Sequence, residues 1–215
     1  MIYYITMSSP VQHDLKANNL CEELYQINSF LNDEKFQKLY EHLLKCPVTK
    51  YDSVGEDDNY KFSSKIDPST GENVILPTSN ISFTFPEITE GILKYDFLHK
   101  VSELISILYN KSVWQEEGVG VTVYSPGDGL PTHFDGMNRY LQTPSGHPTR
   151  DYSSVYYYNN DFEGGVLHFT KLNIKIKPQP NMLLIFPSDE LYTHRVEKVT
   201  SGLRYMSSNF WSIKE

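Results

Sequence analysis

The sequence predicts a mainly β sandwich or barrel braced on one face by two helices, and three observations carry that expectation. After Trp114 the apolar spacing changes from helical to alternating, with Val119, Val121 and Val123 on one side of an extended segment. From there to Trp211, short β-type runs recur at even spacing. Turn signals separate them, among them Glu163-Gly164-Gly165, Pro178-Gln179-Pro180-Asn181, Pro187-Ser188-Asp189 and Ser201-Gly202. Ahead of them lie two stretches with apolar residues at helical spacing, which reads as a helical preface packed on a sheet.

At 215 residues the chain is long enough for one sizeable core and short for two, so a single domain spanning 1–215 is expected. Residues from about 20 to 112 form helical support and an insertion, and those from about 113 to 213 form the β core. Residues 1–20 are polar and mixed, a loose arm or edge segment. Leu24-Tyr25-Gln26-Ile27-Asn28 alternates as a short strand. Asn32 then caps a helix whose apolar stripe is Phe36, Leu39, Tyr40, Leu43 and Leu44. Asp33 and Glu34 suit its first turn, Lys45 its last, and Pro47 stops it. Residues 48–86 carry little periodicity and many Asp, Ser, Asn and Pro, reading as a long irregular insertion. A second helix spans Phe97 to Tyr109, with Phe97, Val101, Leu104, Ile105 and Leu108 in one stripe. Strands follow at about 153–159, 165–170, 173–177, 182–186, 193–199 and 204–211.

Composition narrows the function. A net charge of −8 argues against a broad phosphate-binding surface and so against nucleic acid as partner. Two cysteines, Cys21 and Cys46, make no disulfide framework and read as reduced thiols. With no basic leader and no long apolar run, a cytoplasmic protein without a membrane span is expected. The sequence sets no oligomeric state.

The chemistry gathers around Tyr124-Ser125-Pro126-Gly127-Asp128-Gly129-Leu130-Pro131-Thr132-His133-Phe134-Asp135. His133 and Asp135, two apart on an extended segment, share a face and make half of a metal site. His194, in a strand after the apolar run 182–186, supplies a second imidazole. Two histidines and one carboxylate suit a non-haem Fe(II) centre with coordination positions left open. Arg204 falls ten residues after His194 (204 − 194 = 10), across the Ser201-Gly202 turn. A hairpin there would bring its guanidinium into the apolar interior, where it needs an anionic partner such as a dicarboxylate. His168 stays open between metal ligand, pocket residue and satisfied core histidine. His13, His42, His99 and His147 read as structural or solvent-facing.

Together these residues resemble the Fe(II)- and 2-oxoglutarate-dependent dioxygenases, most closely the prolyl hydroxylase-like branch. Tyr124 and Gly127 ahead of His133 and Asp135 are similar to the family's Tyr-x-x-Gly before His-x-Asp. Tyr157-Tyr158-Asn159-Asn160-Asp161-Phe162-Glu163-Gly164-Gly165 is similar to its strand running into a Gly-Gly turn. The resemblance implies a double-stranded β-helix core of the jelly-roll, cupin-like kind. It implies Fe(II) held by His133, Asp135 and His194, and 2-oxoglutarate held by Arg204 with Tyr124 and Tyr157. It further implies O2 as cosubstrate and ascorbate as reductant. The nucleic-acid demethylases of the same superfamily place a second arginine six residues after the first, where this chain has Phe210.

The expected reaction is hydroxylation of a C–H bond, first of a prolyl residue in a protein or peptide. The same chemistry on a free amino acid or other small molecule is the alternative, and a non-catalytic metal-binding barrel a third. Arg139, Tyr140, Arg150 and His168 are the candidate substrate contacts. Segments 52–80 and 136–152 are candidate lids over the open end.

Overall fold

Alternating apolar residues from 121 onward build two facing antiparallel sheets. The computed structural model describes residues 2–5, 15–46, 48–50, 55–57, 60–66, 73–76, 79–81, 97–115, 120–136 and 150–214. The first strands are β1 (Ile2–Ile5), β2 (Leu15–Cys21) and β3 (Leu24–Ile27), followed by helix α1 (Asp33–Leu43). Next come β4 (Val48–Lys50), β5 (Gly55–Asp57), β6 (Tyr60–Ile66), β7 (Asn73–Leu76) and β8 (Ser79–Ile81). Helix α2 (His99–Tyr109) leads into β9 (Val113–Gln115), β10 (Val121–Tyr124), β11 (Leu130–His133) and β12 (Tyr152–Tyr157). The remaining strands are β13 (Glu163–Gly164), β14 (Leu167–Phe169), β15 (Ile174–Ile176), β16 (Met182–Pro187), β17 (His194–Val196), β18 (Val199–Ser201) and β19 (Arg204–Ile213).

The larger sheet runs in the order β1-β2-β3-β16-β12-β19-β10-β8-β4, with β9 also on β19. The smaller sheet is β11-β17-β14-β15. From β10 to β19 the chain steps repeatedly between these sheets, the wound arrangement that the resemblance implied. Strands β12 and β16 are buried along their whole length, because the larger sheet is covered on both faces. On one face Tyr156, Tyr158, Leu183, Ile185 and Trp211 pack with Phe97, Val101 and Leu104 of the helical layer. On the other, Val155, Tyr157, Leu184, Phe186 and Met206 meet Leu167, Phe169 and Val196 of the smaller sheet.

Helix α1 begins where expected, with the Asn32 side chain accepting a 2.8 Å hydrogen bond from the Lys35 amide. Helix α2 ends at Asn110, a left-handed residue that stops it without glycine. Residues 2–5 are the edge strand of the larger sheet and residues 15–21 the strand next to it, rather than a loose arm. Among the described residues, the stretch read as an irregular insertion holds five strands, of which β8 pairs with β10 and β4 with β8. Among the described residues no helix is long and apolar enough to cross a membrane.

One buried amide ties the helical preface to the sheets. The Asn181 side chain accepts from the Leu31 amide and from the Tyr156 hydroxyl, and donates to the Leu31 carbonyl, each at 2.8 Å. Asn181 also sits at a φ of 59°, a conformation asparagine tolerates better than alanine. Replacing it with alanine strands buried polar groups and should lower the unfolding free energy by about 3 kcal/mol in a urea titration. An unchanged midpoint would remove this tie from the account.

Candidate metal centre

The ends of β11 and β17 lie side by side, with His133 and His194 in register. This pairing brings together two imidazoles 61 positions apart in sequence (194 − 133 = 61), their ring centroids 4.5 Å apart. Asp135, two residues beyond His133, folds back so that its Oδ1 lies 3.4 Å from His133 Nε2 and 3.9 Å from His194 Nε2. One ligand atom from each of the three can be chosen so that all lie within 4.8 Å of one another. Among the described residues these form the one group of histidine, cysteine and acidic side chains gathered closely enough to hold a metal ion.

The backbone decides which nitrogen faces inward. His133 Nδ1 lies 2.8 Å from the Pro131 carbonyl, and His194 Nδ1 lies 2.8 Å from the Tyr192 carbonyl. A carbonyl only accepts, so each Nδ1 carries the proton and each Nε2 keeps its lone pair for a metal. Phe169 and Phe186 flank His194, with ring centroids 5.4 and 5.5 Å away. Burial pushes the His194 imidazole below its usual range, against the pull of Asp135. Burial also acts on His133, but the hydrogen bond and charge of Asp135 outweigh it and raise its pKa. Burial alone would raise the Asp135 carboxyl, whereas His194 and His133 hold it well below the usual carboxylate range. The Ser153 hydroxyl adds a hydrogen bond to Asp135, and it lies 2.7 Å from the hydroxyl of Ser188. The carboxylate is therefore ionised and aimed between the two Nε2 atoms, a donor set that fits a divalent first-row ion.

Arg204 arrives by a route different from the hairpin the sequence evoked. Strand β18 pairs with β13, and the chain then crosses to the larger sheet, where Arg204 lies opposite Tyr124 of β10. Its side chain is fully buried. The guanidinium carbon lies 4.8 Å from the ring centre of Tyr124 and 5.1 Å from that of Tyr157. Nε and both Nη atoms have no hydrogen-bond partner, and neither does the buried Tyr157 hydroxyl. Burial pushes the Tyr157 phenol up to about 12 and raises that of Tyr124, in both cases against the pull of Arg204. Both phenols stay protonated and can donate. An unpaired guanidinium in an apolar interior is costly, and a carboxylate bound there would remove that cost.

Gly165 shapes this cradle, a role that sequence reasoning missed. At a φ of 59°, a Cβ added to it would lie 2.8 Å from Arg204 Cδ and 2.9 Å from Phe162 Cε2. Its place after a second glycine was visible as a turn signal, but not what it packs on. Gly165→Ala should displace the guanidinium and weaken binding of a dicarboxylate by about tenfold, with Fe(II) affinity nearly unchanged. Isothermal titration of each ligand into the variant checks this, and equal loss of both would refute the separation.

The other candidates fall in different places. His168 is not part of the metal cluster: it points out of the smaller sheet, its Nδ1 3.8 Å from Glu197. Arg150 stacks over Phe210 at 3.6 Å, and its charge lowers the pKa of His133, which places it near the mouth of the site. Arg139 and Tyr140 lie outside the described residues, as does most of segment 136–152. Within segment 52–80, the backbone of β6 lies against β11.

Comparison with known proteins fits this geometry. The chain is 38% identical over 69 residues to prolyl 3-hydroxylase 1 of Gallus gallus, a match covering 30% of this chain and 10% of the relative. It therefore spans about a tenth of the length of the curated relatives it matches. Among solved structures it is similar to a viral collagen prolyl hydroxylase from Paramecium bursaria Chlorella virus 1, with a TM-score of 0.58 and 17% identity. That match covers 90% of this chain and 98% of the other. It is also similar to a prolyl hydroxylase of Trichoplax adhaerens in complex with a peptide fragment of a hypoxia-inducible factor, with a TM-score of 0.55 and 20% identity. Here 88% of this chain and 83% of the other are covered. These two likenesses concern the fold, a mainly β double-stranded helix. The family model described as the 2OG-Fe(II) oxygenase superfamily matches residues 119–212, the stretch that carries the two imidazoles, the carboxylate and the buried arginine. Over that stretch the chain is similar to the 2OG-Fe(II) oxygenase superfamily.

Proposed function

We propose that this chain is an Fe(II)- and 2-oxoglutarate-dependent dioxygenase that hydroxylates a prolyl residue of a protein or peptide. The observation that carries the reading is a three-ligand cluster together with a fully buried guanidinium whose donors are all unpartnered, the Tyr124 phenol feeling the charges of both Arg204 and Asp135. In this reading His133, Asp135 and His194 would hold Fe(II), and Arg204 would pair with the far carboxylate of 2-oxoglutarate, assisted by the hydroxyls of Tyr124 and Tyr157. Bound iron and keto acid would supply the oxidation, in which a substrate C–H bond, O2 and 2-oxoglutarate become a C–OH bond, succinate and carbon dioxide.

The chain's own groups do the positioning. The carbonyls of Pro131 and Tyr192 keep both imidazoles in one tautomer, Ser153 orients Asp135, and Phe169 and Phe186 keep water from the inner side of His194. Arg150, on its Phe210 platform, would orient the peptide at the mouth. The prolyl reading draws on the partial identity to a prolyl 3-hydroxylase and on the peptide held by the Trichoplax adhaerens fold relative.

A second reading, the same chemistry on a free amino acid or small carboxylate, has one observation in its favour. A cavity of 210 Å³ beside Gly136 is lined by Arg150 and by three carboxylates, Glu23, Asp151 and Asp189. Its volume and mixed charge suit a zwitterion. Mass spectrometry separates the readings. Incubation with Fe(II), 2-oxoglutarate, ascorbate and proline-bearing peptides should add one oxygen to a prolyl residue. Oxygen added only to free amino acids would replace the first reading with the second.

A further inference from the structure

The smaller sheet turns one face toward the metal and one face outward, and the outward face carries the opposite charge to the rest of the chain. Leu167, Phe169, Ile176, His194 and Val196 point inward and are buried. The residues between them, His168, Lys175 and Arg195, therefore point out. Pairing places His168 opposite Lys175 on one side and opposite Arg195 on the other, so the three form one row across β15, β14 and β17. Burial and the charges of Arg195 and Lys175 lower the pKa of His168, so two cations flank an imidazole that favours its neutral form. Glu197 is the carboxylate that meets this row among the described residues. It pairs with Lys175 at 2.7 Å and reaches His168 only at 3.8 Å and Arg195 only at 3.9 Å. Arg195 Nε and His168 Nδ1 are left without hydrogen-bond partners.

One more cation extends the row: exposed Lys177 follows the end of β15 with the same parity as Lys175. Lys171, at the opposite end, is already neutralised by Glu190. In a chain of net charge −8, this face is a local surplus of positive charge held on a rigid sheet.

We propose that the outer face of the smaller sheet, around His168, Lys175 and Arg195, is a docking surface for an acidic peptide segment of a partner protein. Carboxylates laid across the strands would pair with the accessible ends of Lys175, Lys177 and Arg195. Charge complementarity favours a peptide over nucleic acid, because the acidic remainder of the chain would repel a long polyanion. The surface backs directly on β17, so a docked segment would lie behind the strand that carries His194. The proposal stands apart from the oxygenase reading, since binding here needs neither iron nor 2-oxoglutarate.

Fluorescence anisotropy of a labelled peptide of alternating glutamate and serine, titrated with the full chain at low ionic strength, tests it directly. Saturable binding that weakens with added salt is expected. The double variant K175E/R195E should weaken it by about tenfold or more, while Glu197→Gln, which removes the competing carboxylate, should strengthen it. A gain of binding cannot come from misfolding, so this variant keeps the test sound if the double variant is unstable. Equal binding by wild type and both variants would overturn the proposal. So would equal or tighter binding of a labelled oligothymidylate, which would make the face a general polyanion site.

Discussion

Replacing His133 with alanine should bring turnover below detection and weaken Fe(II) binding by more than about a hundredfold. The cluster has three ligands, and its geometry offers no substitute: His168 points out of the opposite face of the smaller sheet, and Glu197 goes with it. What remains, Asp135 and His194, is two donors whose ligand atoms lie 3.9 Å apart. Their charge would still attract a cation, but they leave it a loose bidentate site. The fold should survive, because His133 is partly exposed and stands at the end of its strand. The expected signature is thus an apo-protein that melts close to wild type and no longer gains stability when Fe(II) is added. Melting curves with and without the ion, together with an assay of succinate formation, check both halves. Succinate formation that persists in the variant would take the metal role away from His133.

The second large effect belongs to Arg204. Arg204→Ala should weaken 2-oxoglutarate binding by about 3 kcal/mol, on the order of a hundredfold, with Fe(II) affinity little changed. The guanidinium is buried among Tyr124, Tyr157 and Gly165, and all its donors await a partner. The alanine variant loses the charge-assisted pair but not the metal ligands. Since the unpaired guanidinium is costly to the empty protein, the variant should also be no less stable than wild type before ligand is added. Titrating Fe(II) and then 2-oxoglutarate into the variant measures both affinities. An unchanged cosubstrate affinity would remove Arg204 from the site.

Both predictions rest on residues that could be picked from sequence, and the reasons differ. His133 and Asp135 were legible because they are two apart on an extended segment, so local geometry alone puts them together. His194 could be nominated by residue type, but only the β11 and β17 pairing shows that its Nε2 faces the same point. Arg204 was legible through its spacing from His194 and through the oddity of a charge in an apolar run. The hairpin imagined for it was wrong, because β18 closes on β13 and the chain changes sheets before Arg204. Arg204 is nonetheless fully buried, between the rings of Tyr124 and Tyr157.

Other features left no sequence signal. The carbonyls of Pro131 and Tyr192 fix both imidazoles, yet a backbone acceptor has no residue type to read. Of the strands within 48–81, β4 and β8 are three residues long and are held by β8 pairing with distant β10, and strand preference depends on such partners more than on the residues themselves. His168 was left open, although parity offered an answer: it stands between Leu167 and Phe169, both buried, so its side chain must point the other way.

The most direct test of the central claim is the conversion of 2-oxoglutarate to succinate by the purified chain in air. The account predicts slow succinate formation even without prime substrate. It should depend strictly on added Fe(II), be abolished by a chelator and be restored when iron is returned in excess. A chain that binds Fe(II) at the His133, Asp135 and His194 cluster, yet never consumes 2-oxoglutarate, would contradict it and leave a metal-binding barrel in place of an oxygenase.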